Sequence, residues 1–180
     1  MRVLHIANSY FFVERLLSGK LSGLLTEGIT VEAAAPVPKD AAELPFLVHD
    51  LPVPRSISPI NDAKAFFRAA EIIRKGHYDI VHTHSAKAGF VGRMAAYFLD
   101  VPCVHSAHGL PFYAGQSRPS HGFYKALEGF AGKRCSMVLA QNHEDCETLR
   151  TLLPDQKVLY EGNGLDVAAA SSPLPSYSTF

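Results

Sequence analysis

Short apolar runs rich in Val, Ile and Leu alternate along this chain with longer stretches whose apolar residues recur at helical spacing. That is the order expected of an α/β domain with a mostly parallel sheet. Strands are expected near residues 2–7, 29–35, 46–50, 79–83, 102–106, 136–140 and 157–160. Between them, Val13, Leu17, Leu21 and Leu24 mark one helical face, which Gly28 closes. Ala63, Phe66, Phe67, Ala70 and Ile73 mark another, with Asn61 or Asp62 as its cap and Gly76 as its stop. A further helix opens at Ser85 and carries Val91, Ala95 and Phe98. The next runs from about Gly122 to Gly132, and its stripe of Phe123, Leu127 and Phe130 is expected in the core. The last begins at Asn142, whose side chain can cap backbone N–H groups, and ends at Pro154; Glu144 and Asp145 suit the positive end of its dipole.

Two segments break this rhythm. Residues 36–59 hold six prolines around one short apolar run and read as an ordered connector at the edge of the sheet. Residues 168–180 have too few large apolar side chains to offset the entropy of ordering, so a mobile tail is expected there. The 180 residues fit one domain large enough to bury a core. With 17 basic and 17 acidic residues, the chain offers no broad electrostatic footprint for nucleic acid. Cys103, Cys135 and Cys146 lack close metal-type spacing and read as reduced, buried thiols of a cytoplasmic protein. No apolar run reaches the ~20 residues a spanning helix requires, so any membrane contact is expected to be peripheral.

The densest chemistry lies between Tyr78 and Tyr113, where two expected strands end in polar residues. Ligands of an open parallel sheet bind beyond the carboxyl ends of its strands, which brings His84, Ser85, Lys87 and His108 towards one site. Ser85 to Gly89 opens a helix, so unpaired N–H groups, the helix dipole and Lys87 can converge on an anion. The competing reading has Ser85 only capping that helix, Lys87 solvated, and Gly89 letting the helix approach a neighbour. His108, followed by Gly109, can reach into a cleft while the backbone turns away, and suits contact with hydroxyls or a developing charge. Asn8 and Ser9 follow the first strand, where they either line the cleft or cap the next helix. Tyr10, Phe11 and Phe12 stand where a dinucleotide-binding turn needs glycines, which argues against NAD or FAD, and no cofactor is expected. His82 and His84 share a strand face, and with His105 and His108 could form a metal set. No carboxylate stands at ligand spacing, however, and His82 lies within an apolar strand, so no metal is assigned.

The segments DIVHTHSAKAGFVGRMAA, VHSAHGLPFY and EGNGLDV, in this order, resemble the amino-terminal domain of glycosyltransferase family 4 over about residues 1–167. The tract from His82 to Gly92 most resembles bacterial members that build capsular, exopolysaccharide or lipopolysaccharide sugars. The resemblance implies one half of a GT-B architecture, a Rossmann-like domain with helices on both faces of its sheet, facing a second such domain. It implies transfer of a sugar from a nucleotide-sugar donor to a glycan or polyprenyl-linked acceptor, with retention of configuration and no metal, at the inner face of the membrane. His108 then reaches towards the donor sugar. Asn8, Ser9, His84, Ser85, Lys87, Gly89 and Gly109 take the acceptor side, and Asn163 and Gly164 mark the crossing into the second domain. No two glutamates here are eight residues apart, as that domain's signature requires. The donor-binding half is therefore expected to be missing and the isolated chain weakly active or inactive. A non-catalytic acceptor-binding module, the partner subunit of a split transferase, and an inactive truncated product remain open alternatives.

Overall fold

The structure is a computed structural model and describes residues 1–162 other than 55 and 114. The strands are β1 (Arg2–Ile6), β2 (Thr30–Ala35), β3 (Val48–Asp50), β4 (Ile80–His84), β5 (Cys103–Ala107), β6 (Met137–Ala140) and β7 (Val158–Tyr160). They form one all-parallel sheet in the order β3-β2-β1-β4-β5-β6-β7. All seven expected strands are present, with the third reduced to three residues at the sheet edge. The proline-rich connector runs along that edge, where a missing N–H costs no ladder bond.

The helices are α1 (Tyr10–Phe12), α2 (Ser18–Thr26), α3 (Pro59–Gly76), α4 (Ala86–Phe98), α5 (Arg118–Gly132) and α6 (His143–Leu152). A π-helical stretch, Val13–Leu17, joins α1 to α2. It keeps Val13, Leu17 and Leu21 against Val3, Ala7, Val31 and Ala33 on one face of the sheet. The opposite face carries Leu4, Ile6, Val81, Cys103, Val138 and Val158, covered by Ala65, Ile72, Val91, Ala95, Cys146 and Leu149 from α3, α4 and α6. With helices on both faces, the central strands are buried on both sides, which is why they read as near-continuous apolar runs. The three cysteines are buried free thiols.

Helix ends follow local chemistry. Asn142 caps α6 as expected, its Oδ1 accepting from Asp145 N at 2.7 Å, and Gly28 (φ 76°) follows α2. For α3 the expectation is corrected at both ends. The cap is Ser58, with Pro59 at the first helical position, and Asp62 reaches back to accept from Ser58 N at 3.0 Å. The left-handed residue that stops this helix is His77 (φ 48°), while Gly76 is its last turn.

The stripe expected in the core of α5 is also corrected. Phe123 is 50% and Phe130 49% exposed, and the buried face is made of Glu128, Gly129, Ala131 and Gly132. Small residues let α5 approach its neighbours, and Glu128 stays buried because Arg93 of α4 pairs with it through two bonds of 2.5 and 3.0 Å. The expected tail and the domain boundary at 167 lie outside the described residues.

Candidate functional site at the switch in strand order

The strand order reverses between β1 and β4, so the chain leaves these two strands towards opposite faces and opens a crevice at their carboxyl ends. Ala7, Asn8 and Ser9 leave β1 there, His84 and Ser85 leave β4, His108 follows β5, Gln141 follows β6 and Glu161 follows β7. The structure thus brings Asn8, Ser9, His84, Ser85, His108 and Gly109 to one end of the sheet.

The register His5↔His82 and His84↔Ser106 puts these four residues on one face, because side chains two apart in a strand point the same way. His84 lies in a file of three imidazoles. Its Nε2 is 3.0 Å from His5 Nδ1, and its Nδ1 is 3.0 Å from His108 Nε2. The far nitrogen of His5, Nε2, is buried with no partner among the described residues. A buried orphan N–H is rarer than an unused acceptor, so the protons run from His5 Nδ1 to His84 Nε2 and from His84 Nδ1 to His108 Nε2. That polarity leaves His108 with one N–H, on Nδ1, and Gln141 beside the ring favours its protonated form. Phe12 closes the end of the file, its ring edge-on to His108 at 4.8 Å.

Burial is the main reason this file is neutral. It holds His5 and His84 well below the ordinary imidazole value, and their neighbouring imidazoles add to the shift. His108 is half-buried and is lowered for the same first reason, against the opposing pull of Gln141 and Glu161. His82 is pushed down to about 4 by burial, with Lys20 adding to it. His82 belongs to a second chain on the same face: its Nε2 meets Ser106 Oγ at 2.9 Å, Ser106 Oγ donates to Glu161 Oε2 at 2.8 Å, and Glu161 pairs with Lys20 of α2. Burial raises the Glu161 carboxyl, but the bonds from Lys20 and Ser106 outweigh it and hold the group below its ordinary value.

His105 faces the other way. Its Nδ1 meets Thr83 Oγ1 at 2.9 Å and its Nε2 lies 3.8 Å from Glu128. It is thus absent from the crevice. His5, His82 and His84 do approach one another closely enough to share an ion, their ligand atoms lying within 4.8 Å. His82 and His84 are nevertheless already engaged by Ser106 and by two imidazoles.

The other candidates divide. Ser9 Oγ accepts from Phe12 N at 3.2 Å, so it caps α1, and Asn8 is exposed at the crevice. Ser85 takes φ 64° and ψ 159° and makes no side-chain cap, so its hydroxyl is not used by the helix it precedes. That backbone region strongly favours glycine, and strain of this kind gathers at ligand sites. Lys87 is not a solvated charge: its ammonium lies 2.8 Å from Asp62 Oδ1 and bonds Ser56 O. Gly89 is a packing position, since a Cβ there would stand 2.6 Å from His105 Cε1. Gly109 adopts φ 98°, the turn that swings His108 back over the crevice. Asn163 and Gly164 lie outside the described residues. Sequence reasoning missed His5, Ser106, Gln141, Glu161 and Lys20. Only the strand parity of His5 and the place of Glu161 as first residue of the EGNG tract hinted at two of them.

Residues 13–169 match the model of Glycosyltransferase Family 4. The Escherichia coli UDP-Gal:alpha-D-GlcNAc-diphosphoundecaprenol alpha-1,3-galactosyltransferase is 39% identical over 116 residues, which are 63% of this chain and 30% of that relative. This chain therefore spans under a third of its length. Among solved structures, sucrose-phosphate synthase of Thermosynechococcus elongatus superposes with a TM-score of 0.71 at 13% identity, covering 93% of this chain and 49% of that one. MurG of Acinetobacter baumannii gives 0.60 at 15% identity, covering 94% and 47%. At such identities these two show the fold alone, one Rossmann-like half of a GT-B architecture. With a family match over most of its length and a crevice at the reversal in strand order, the chain belongs to glycosyltransferase family 4.

Proposed function

We propose that this domain is the acceptor-side half of a retaining glycosyltransferase that moves a sugar from a nucleotide donor to a lipid-linked glycan acceptor. The setting is cell-surface polysaccharide synthesis at the inner face of the membrane. The observation that carries the reading is the neutral imidazole file ending at His108 in the crevice. His84 fixes the His108 tautomer, and His108 keeps one N–H, on Nδ1, beside Gln141. A substrate hydroxyl or a developing negative charge accepts from that N–H, and a donor placed in advance needs no reorganisation at the moment of reaction. Asn8 and Ser85 offer uncommitted polar side chains on the acceptor side, with Ser9, Lys87, Gly89 and Gly109 shaping the walls around them.

Groups that hold the departing nucleotide diphosphate come, in this reading, from a second domain. The share of the relatives that this chain covers supports that division. The test joins the chain to its donor-binding domain and measures transfer from a nucleotide sugar to a polyprenyl-diphosphate sugar. His108→Ala is expected to lower kcat by ~100-fold or more, the usual scale for a lost proton-transfer or hydrogen-bonding group, with melting unchanged to within a few degrees. An unchanged rate refutes the role of His108. Brisk transfer by residues 1–180 alone refutes the division of labour.

A further inference from the structure

Outside the crevice, α3, α4 and α5 enclose a groove of about 810 Å³. Phe66, Phe90, Met94, Phe98, Phe123 and Leu127 line its walls, and the buried Arg93–Glu128 pair lies at its floor with its charges turned on each other. This volume is in the range of a small-molecule site, but the walls are hydrocarbon and aromatic, which is poor chemistry for a sugar. The groove opens onto an unusually apolar surface. Phe98 is 71% and Phe67 69% exposed. The aromatic rings form a connected rim: Phe67 to Phe66 at 5.4 Å, Phe66 to Phe98 at 5.8 Å, and Phe98 to Tyr97 at 5.6 Å. Arg134 lies 5.1 Å from the centre of the Tyr97 ring and 3.6 Å from that of Phe130. A contiguous exposed patch with aromatic and cationic members is the signature of an interfacial surface.

The opposite end of the groove is polar. Lys87 in the first turn of α4 lines it together with Ser56 and Asp62, and that helix starts at Ser85 of the crevice. From Lys87 to Phe98 the groove follows α4 for about 16 Å at its rise of 1.5 Å per residue. Along one helix the surface therefore passes from a polar crevice, to the Lys87–Asp62 ion pair, to an apolar channel, to an aromatic rim. A polyprenyl-diphosphate sugar has the same sequence of chemistry, from sugar through diphosphate to isoprenoid.

We infer that the groove between α3, α4 and α5 holds the first isoprene units of a polyprenyl-diphosphate acceptor, with Lys87 facing the diphosphate and the aromatic rim leading the chain into the bilayer. This deepens the proposed function and rests on its acceptor reading. The ammonium of Lys87 has three donors, of which Ser56 O takes one, and it is paired with but not hydrogen-bonded to Asp62 Oδ1, so a phosphoryl oxygen takes a free donor in competition with that carboxylate.

The test is calorimetric titration of the full chain with farnesyl diphosphate, with inorganic diphosphate, and with phosphatidylcholine–phosphatidylglycerol vesicles. Farnesyl diphosphate is expected to bind at least tenfold more tightly than inorganic diphosphate. Phe98→Asp with Phe123→Asp is expected to remove that preference, and both side chains are half exposed or more, so folding tolerates the change. The milder pair Phe98→Ser and Phe123→Ser serves as a second variant and is expected to weaken binding at least threefold. Equal binding of the two diphosphates overturns the inference. So does farnesyl diphosphate binding that both pairs leave intact while vesicle binding falls, because the patch is then a membrane contact with no chain in the groove. The titration involves no nucleotide sugar and no turnover. Its failure leaves sugar transfer to be judged by its own assay, and failed transfer with intact farnesyl diphosphate binding removes the reaction and keeps the groove.

Discussion

Mild acidification is a direct probe of the buried histidines. His5, His82, His84 and His105 all have folded-state pKa values below the ordinary imidazole value, in each case chiefly through burial. A lowered imidazole pKa means that, below about 6.5, the unfolded chain binds protons that the folded chain refuses, so stability is full above that pH and falls as pH falls. Between pH 7.5 and 5.5 each such histidine withdraws on the order of 1 kcal/mol, and the four together roughly 5 kcal/mol, against a total stability of about 5–15 kcal/mol for a typical domain. His82, pushed down to about 4, continues to withdraw stability to that pH. The carboxyls of Glu32 and Glu161 are held low by their partners, and their contribution is lost only as pH falls below the ordinary carboxyl range, outside this window. For a chain of this size the melting temperature is expected to drop by about 10–20 °C over these two pH units. Circular dichroism melts in matched ionic strength at half-unit steps would follow it. A melting temperature constant within ~3 °C would mean that the imidazoles are hydrated or already charged in the fold, and the neutral file ending at His108 would go with them.

Two substitutions test other parts of the framework. Arg93→Met strands the Glu128 carboxylate in the interior and is expected to cost ~3–5 kcal/mol in urea unfolding, whereas Arg93→Met with Glu128→Leu should recover most of it; equal losses would show that the pair is not desolvated. Ser85→Gly relieves a backbone at φ 64° and should raise stability by ~1 kcal/mol while weakening acceptor binding in the two-domain enzyme; a fall in stability would mean that the serine side chain holds the turn.

The fold was largely legible because its signals are local. Apolar runs such as Val81 in β4 and Val104 in β5 sit between helical stretches, and Asn142 and Gly28 punctuate the ends by backbone chemistry that needs no tertiary knowledge. Where the reading failed, tertiary contacts had overridden the pattern. Phe123 and Phe130 have core-like spacing, yet α5 turns its small residues inward because Glu128 must meet Arg93 and Gly132 must admit Leu153, whose Cδ1 would lie 2.6 Å from an added Cβ. An exposed aromatic stripe and a buried ion pair are two consequences of one helix rotation, and only the second partner, Arg93, reveals which rotation is chosen.

The candidate site was legible in its location and only partly in its wiring, and the reason is register. His84 and His108 could be placed at strand ends from sequence, because a parallel sheet exposes those ends. That His84 lies between His5 and His108, and not beside His105, depends on β1 and β4 pairing as His5↔His82 and on β4 and β5 pairing as Thr83↔His105. A shift of one residue in the second pairing would send His105 into the crevice and Ser106 out of it, breaking the chain from His82 to Glu161. Gly89 guards that register, since only a residue without Cβ lets α4 lie against the His105 ring. The glycine that looked like part of a ligand loop thus acts one step removed from the crevice, by holding the strand whose register decides which imidazoles face it.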